Sequence, residues 1–217
     1  MGTRIQNLAN NFTTAGIVKA AAINNTSVSG ITSLPSGVGG ALTLLQTQTA
    51  SASATIDFTS NIDSTYKAYM FKFYDMHPAT DNVKFEFQGS TDGGSSYGVT
   101  VTNTYHRAYH NESDSTATLA YEGTFDQAQS TAFATLVDNL GADADQQCSG
   151  TLVIYAPSDT TYVKHFISRL NNYHQNDYSM DQYTAGYFNT TSAVNAIQFK
   201  MSSGNTDAGV IKLYGVS

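Results

Sequence analysis

The chain has 217 residues, a single cysteine and a formal net charge of −7. That excludes an internal disulfide and argues against nucleic acid as a partner, because binding it needs a basic surface that displaces counterions. Only 12% of the residues are Asp, Glu, Lys or Arg, well under the ~25% usual in a soluble domain, so solubility falls to Ser, Thr, Asn, Gln and Gly. With 14 tyrosines and no tryptophan, this is the profile of a particle-surface or extracellular β-protein more than of a metabolic enzyme.

Residues 1–41 read differently from the rest. Thr3 can cap a short helix that carries Ile5, Leu8 and Phe12 on one side. The following stretch has no sustained period, and Pro35, Gly37, Gly39 and Gly40 crowd its end, which marks a domain boundary. Ile17, Val18, Ile23, Val28, Ile31 and Leu34 are too apolar for a free tail. An arm of this length cannot bury them alone, so it is expected to order by docking on another protein.

From Leu42 onward strands recur. Leu42–Gln48 and Ser53–Phe58 come first. Tyr69, Phe71 and Phe73 then form the inward side of a strand whose partner carries Val83, Phe85 and Phe87 inward and Lys84, Glu86 and Gln88 outward. The run 89–97, with Asp92–Gly93 at its tip, reads as a hairpin turn. Gly98–Tyr109 and Thr116–Glu122 follow as strands. In 124–146, Phe133, Leu136 and Leu140 fit a helical turn as well as a short strand. Gly150–Tyr155, Thr161–Leu170 and Asp181–Phe188 are further strands. At the end Ile197, Phe199 and Met201, then Ile211 and Leu213, alternate with polar residues on either side of a Ser203–Asp207 turn, which reads as an antiparallel pair. Some ten short strands with Gly/Asn/Asp turns predict an all-β fold, an antiparallel β-sandwich of jelly-roll type over residues 42–217.

The densest group of ligand-type side chains is His106 and His110 with Glu112, which share one face of a strand. Two histidines four apart without a fixed third ligand suit a polar strand end better than a metal centre. Asp143 and Asp145 lack the glycine and terminal glutamate of a calcium loop. Asp177 and Asp181 are the nearest thing to a glycosidase carboxylate pair, but nothing marks them as buried. Cys148 sits in no pattern that lowers a thiol pKa and reads as packing. No nucleophile elbow, phosphate loop or dinucleotide fingerprint appears, so neither an enzyme nor a cofactor is expected. Tyrosines are the better candidates. Tyr105, Tyr109, Tyr173, Tyr178 and Tyr183 lie among Asn, Gln and Asp, and a tyrosine offers an apolar plane with a hydroxyl at small entropic cost, suited to a sugar face or a subunit interface.

The runs NNFTTAGIVKAAAINNTSVSGITSLP, FKFYDMHPATDNVKFEFQGSTDGGSSYGVTV, YHRAYHNE, DQAQSTAF, VKHFISRLNNYHQND and GYFNTTSAVNAIQFKMSSGNTDAGVIKLYGV resemble a family of virion-associated proteins of marine tailed bacteriophages. The likeness covers essentially residues 8–217 and is one of phrases, with no catalytic residues to carry over. It implies a virion structural protein of tail-fibre or appendage type, assembled in the host cytoplasm without membrane insertion. Residues 1–41 would anchor it to other capsid or tail proteins, and the sandwich would face outward toward a host surface glycan. It also implies a homo-oligomer, a trimer ahead of other stoichiometries. A capsid decoration protein is the alternative reading, and a glycan-degrading tailspike-like enzyme ranks behind both.

Overall fold

Alternation of apolar and polar residues fixes which face of each strand is buried, and a computed structural model shows how these faces meet. It describes residues 41–217; the anchoring positions Ile5, Leu8, Phe12, Ile17, Val18, Ile23, Val28, Ile31 and Leu34 lie outside the described residues. Thirteen strands, all paired antiparallel, make up the described chain: β1 (Leu42–Ser53), β2 (Ile56–Phe58), β3 (Ala68–Pro78), β4 (Val83–Ser90), β5 (Val101–Asn111), β6 (Ala117–Tyr121), β7 (Gln127–Ser130), β8 (Ala134–Leu140), β9 (Cys148–Tyr155), β10 (Lys164–His174), β11 (Tyr178–Phe188), β12 (Ala196–Met201) and β13 (Thr206–Val216). No helix occurs among the described residues.

Two four-strand series run β1-β13-β3-β9 and β2-β12-β4-β8. This interleaving of early and late strands is the jelly-roll order, two Greek keys wrapped into a double sheet. The remaining strands are additions to it. β10 pairs with β9, β11 with β10, and β5 with β11, and β6 and β7 flank β5, so the first sheet is extended well past β9. A single bridge between His174 and Leu140 joins β10 to β8 and ties the two sheets at that end. Gly150 permits the close approach of β9 and β10: a Cβ there would lie 2.3 Å from the Arg169 carbonyl oxygen.

Phenylalanines from both sheets fill the space between them. Phe199 of β12 lies at the centre, with ring centroids 5.1 Å from Phe71, 5.2 Å from Phe73, 5.9 Å from Phe85, 6.0 Å from Phe58 and 6.4 Å from Phe87. Edge-on contacts prevail, as the quadrupoles of the rings prefer. Cys148 is buried in the same cluster, and burial pushes its thiol pKa up, in keeping with a packing role.

Three expected hairpins are not hairpins. β3 and β4 belong to opposite sheets, and Phe73 meets Phe85 across the core at 5.3 Å. β12 pairs with β4 and β2, whereas β13 pairs with β1 and β3, so the turn between them crosses from sheet to sheet. The 89–97 loop likewise joins β4 to β5 without pairing them. Glu86 and Gln88 are buried and not outward. The segment before β8 folds over them, and the Gln88 amide donates to the carbonyls of Thr131 (3.0 Å) and Ala132 (2.9 Å). Residues 124–146 hold β7 and β8 and no helical turn. β8 is covered on both sides, Leu136 and Leu140 by the core and Asp138 by β5 and β11, so it shows no alternation to read.

A tyrosine cleft over a buried polar network

The five added strands create a second interior, and unlike the first it is polar. Tyr105 and Arg107 on β5, Asp138 on β8, Asn172 on β10 and Gln182 on β11 converge there because their strand positions all face β8. The Tyr105 hydroxyl donates to Asp138 Oδ1 at 2.9 Å and also meets Gln182 Oε1. Gln182 Oε1 accepts from the Asp138 backbone N–H at 2.7 Å, while its amide nitrogen donates to the Asp138 carbonyl at 3.2 Å and to Asn172 Oδ1. Arg107 pairs with Asp138 through one terminal nitrogen and with Glu122 through the other, at 2.9 Å.

Burial raises the pKa of Asp138, an effect that Arg107 and the Tyr105 hydroxyl oppose without reversing. Burial, reinforced by the Asp138 charge, pushes Tyr105 far up as well. Tyr105 is fully buried. It is therefore not a surface contact, as its polar neighbourhood in sequence suggested, but a structural member of this network.

Above the network opens a cleft of about 250 Å³. Arg107 and Tyr109 of β5, Asn139 at the end of β8, and His174, Asn176, Tyr178 and Met180 around the β10–β11 turn line it. The rings of Tyr109 and Tyr178 stand 5.6 Å apart at 82°, and His174 packs edge-on to Tyr178 at 5.1 Å. The Arg107 guanidinium lies 5.7 Å over the Tyr109 ring. Its buried Nε has no hydrogen-bond partner among the described residues. Burial, then the Arg107 charge, lowers the pKa of His174, so the imidazole is neutral at pH 7. In that state its Nδ1 accepts from the Asn176 N–H at 2.9 Å and the proton resides on Nε2. The single guanidinium is already balanced by Asp138 and Glu122. The cleft thus presents two aromatic planes, neutral amide donors and acceptors and no net positive charge, a combination suited to an uncharged, hydroxyl-rich ligand.

The other predicted tyrosines face the opposite side of the same strands. Tyr173 lines a depression of about 360 Å³ with His110, Glu112, Asp145, Asn171 and Ser179, and its hydroxyl donates to Asp177 at 3.2 Å. Its pKa is pushed up to about 12, first by burial and then by hydrogen bonds to Glu112 and Asp177. Tyr183 is stacked flat on His106 at 4.8 Å and 7°, with the Arg169 guanidinium 5.1 Å over its ring. Of the five tyrosines only Tyr109 and Tyr178 share a cleft.

His106 and His110 do lie on one face of β5, but His106 is occupied by Tyr183 and His110 by Asp114 at 3.1 Å. Among the described residues no group of three or more His, Cys, Asp or Glu is placed to hold a metal ion. Asp181 is held by Arg169 at 2.8 Å and Asp177 by Tyr173, each on its own partner. Arg107, Asn139, His174, Asn176 and Met180 were not foreseen as site residues. The one sequence signal for them is Asp138, a carboxylate inside the apolar run Ala134–Leu140 in a chain poor in charge, which demands a buried cation.

No protein-family model, curated protein or solved structure matches the chain.

Proposed function

We propose that residues 42–217 form the outward recognition domain of a bacteriophage virion appendage, attached to the particle through residues 1–41, and that the Tyr109–Tyr178 cleft holds a neutral sugar unit of a host surface glycan. The observation that carries this reading is the cleft: two tyrosine rings nearly at right angles, flanked by Asn139, Asn176 and neutral His174 over a charge-balanced floor. Its lining includes no carboxylate, whereas glycoside cleavage generally uses a flanking pair, which favours the reading of binding over hydrolysis at this cleft. Two further points support the virion setting by analogy: the resemblance of the sequence to phage particle proteins, and the jelly roll, an architecture shared by capsid and lectin domains.

Tyr178→Ala is expected to weaken binding to host-derived polysaccharide about tenfold, the effect of one lost aromatic contact of ~1.4 kcal/mol. The melting temperature should stay close to that of the wild type, because Tyr178 lies at the cleft rim. Unchanged binding on a glycan array and in adsorption assays would falsify the cleft assignment. Deleting residues 1–41 is expected to leave a folded domain that no longer joins particles; normal incorporation would remove the anchoring role. Should virions carry one copy per capsid subunit, the decoration reading replaces the appendage.

A further inference from the structure

The extended sheet has a solvent face as ordered as its core face. Leu44, Tyr214, Met70, Val153, Ile167 and Ala185 are successive Cα partners across β1, β13, β3, β9, β10 and β11. They alternate with core residues such as Leu213, Phe71, Leu152 and Phe166, so this unbroken apolar row points outward. Leu44 and Ile167 are each 52% exposed.

The rows on either side differ in charge. On one side run Lys212, Lys72, Thr151, Arg169 and Tyr183. On the other run the uncharged Val216, Ala68 and Tyr155, with His165 and Tyr187 beyond them on β10 and β11. The two lysines lie over rings, Lys72 over Tyr214 and Lys212 over Tyr74, both at 5.5 Å. Among the described residues neither has a carboxylate within ion-pair distance.

With strands ~4.8 Å apart and side chains of one face ~6.8 Å apart, three such rows across six strands cover roughly 500 Å². Two copies in contact would bury on the order of 1,000 Å², the threshold of a specific interface. A second copy also fits by symmetry. Sheets of the same twist stack face to face about 10 Å apart. A two-fold axis along the apolar row lays that row on its own counterpart and sets the Lys72–Lys212 side of one copy, whose Arg169 is already paired with Asp181, over the uncharged Val216–Tyr155 side of the other. Like charges are then kept apart. We propose that this outer face is a two-fold interface between copies of the chain, with Ile167 packed near Ile167 of its mate. It is an isologous contact, which closes as a pair and differs from the trimer that the sequence resemblance implies.

The test uses the full chain and measures mass by light scattering over a concentration series. The wild type is expected to be a dimer. Ile167→Lys and Ile167→Glu should each weaken association by ~30-fold or more, the effect of a central hot spot. Position 167 is solvent-facing, so both variants should retain the wild-type far-ultraviolet circular dichroism. Mixing the two variants should restore the dimer, because the axis brings the opposite charges together. A monomeric or trimeric wild type, variants that keep the wild-type mass, or a mixture that stays monomeric would each overturn the proposal.

Discussion

Phe199→Ala is expected to destabilise the domain by about 3–5 kcal/mol, the usual range for truncating a buried phenylalanine. The upper part of that range applies because five other phenylalanines, Phe58, Phe71, Phe73, Phe85 and Phe87, have centroids within 6.4 Å of its ring. They come from three strands, β2 and β4 in one sheet and β3 in the other, so no single side chain can swing in to fill the void. Against a total of about 5–15 kcal/mol for a typical domain, this consumes much of the margin. Denaturant unfolding followed by far-ultraviolet circular dichroism measures it. Phe199→Leu, which keeps most of the volume, should recover more than half of the loss. A loss under about 1 kcal/mol for the alanine variant would mean that the two sheets are not closed over this residue.

Removal of the Asp138 carboxylate is the second large effect. Asp138→Leu leaves Arg107 short of one partner and the Tyr105 hydroxyl with Gln182 Oε1 alone, and breaking a buried pair of this kind costs about 3–5 kcal/mol. The pH dependence separates charge from hydrogen bonding. Because the folded pKa of Asp138 is raised, the fold prefers the protonated acid. The stability that this group contributes is therefore complete below its unfolded value, near 4, and is lost as the pH rises through the folded value. Asp138→Asn, which cannot ionise, lacks that dependence. The stability advantage of the wild type over Asp138→Asn should be largest in acid and should shrink from about pH 4 upward. An advantage that instead grows with pH would show that Arg107, and not burial, governs the carboxyl.

Which face each strand buries was legible in the sequence; which strand it pairs with was not. Phe71, Phe73, Phe85 and Phe87 point inward as their alternation requires, yet β3 and β4 lie in opposite sheets. A period of two reports a side, and the turn chemistry of residues 77–82 serves a sheet-crossing arch as readily as a hairpin. Alternation also fails where a second layer covers the outer face, as at Glu86, Gln88 and the whole of β8. The polar network was hidden for a related reason. Tyr105, Asp138 and Gln182 are far apart in sequence, and only the addition of β10 and β11 beside β9 brings them together. Tyr109 and Tyr178 were singled out for their neighbours in sequence, but their shared cleft depends on the pairing of β5 with β11.

The position of β13 between β1 and β3 bears on how the chain matures. β13 is made after every other described strand, yet it pairs Leu42–Ser53 on one edge and Ala68–Pro78 on the other. Until Thr206–Val216 emerges, two early strands wait with facing edges open, and their hydrophobic sides have no completed sheet. The decisive step in folding of the domain thus waits for β13 and is governed by contacts of long sequence separation, which form slowly. Stalled or clipped chains that end before Thr206 would expose the very edges on which β-proteins aggregate.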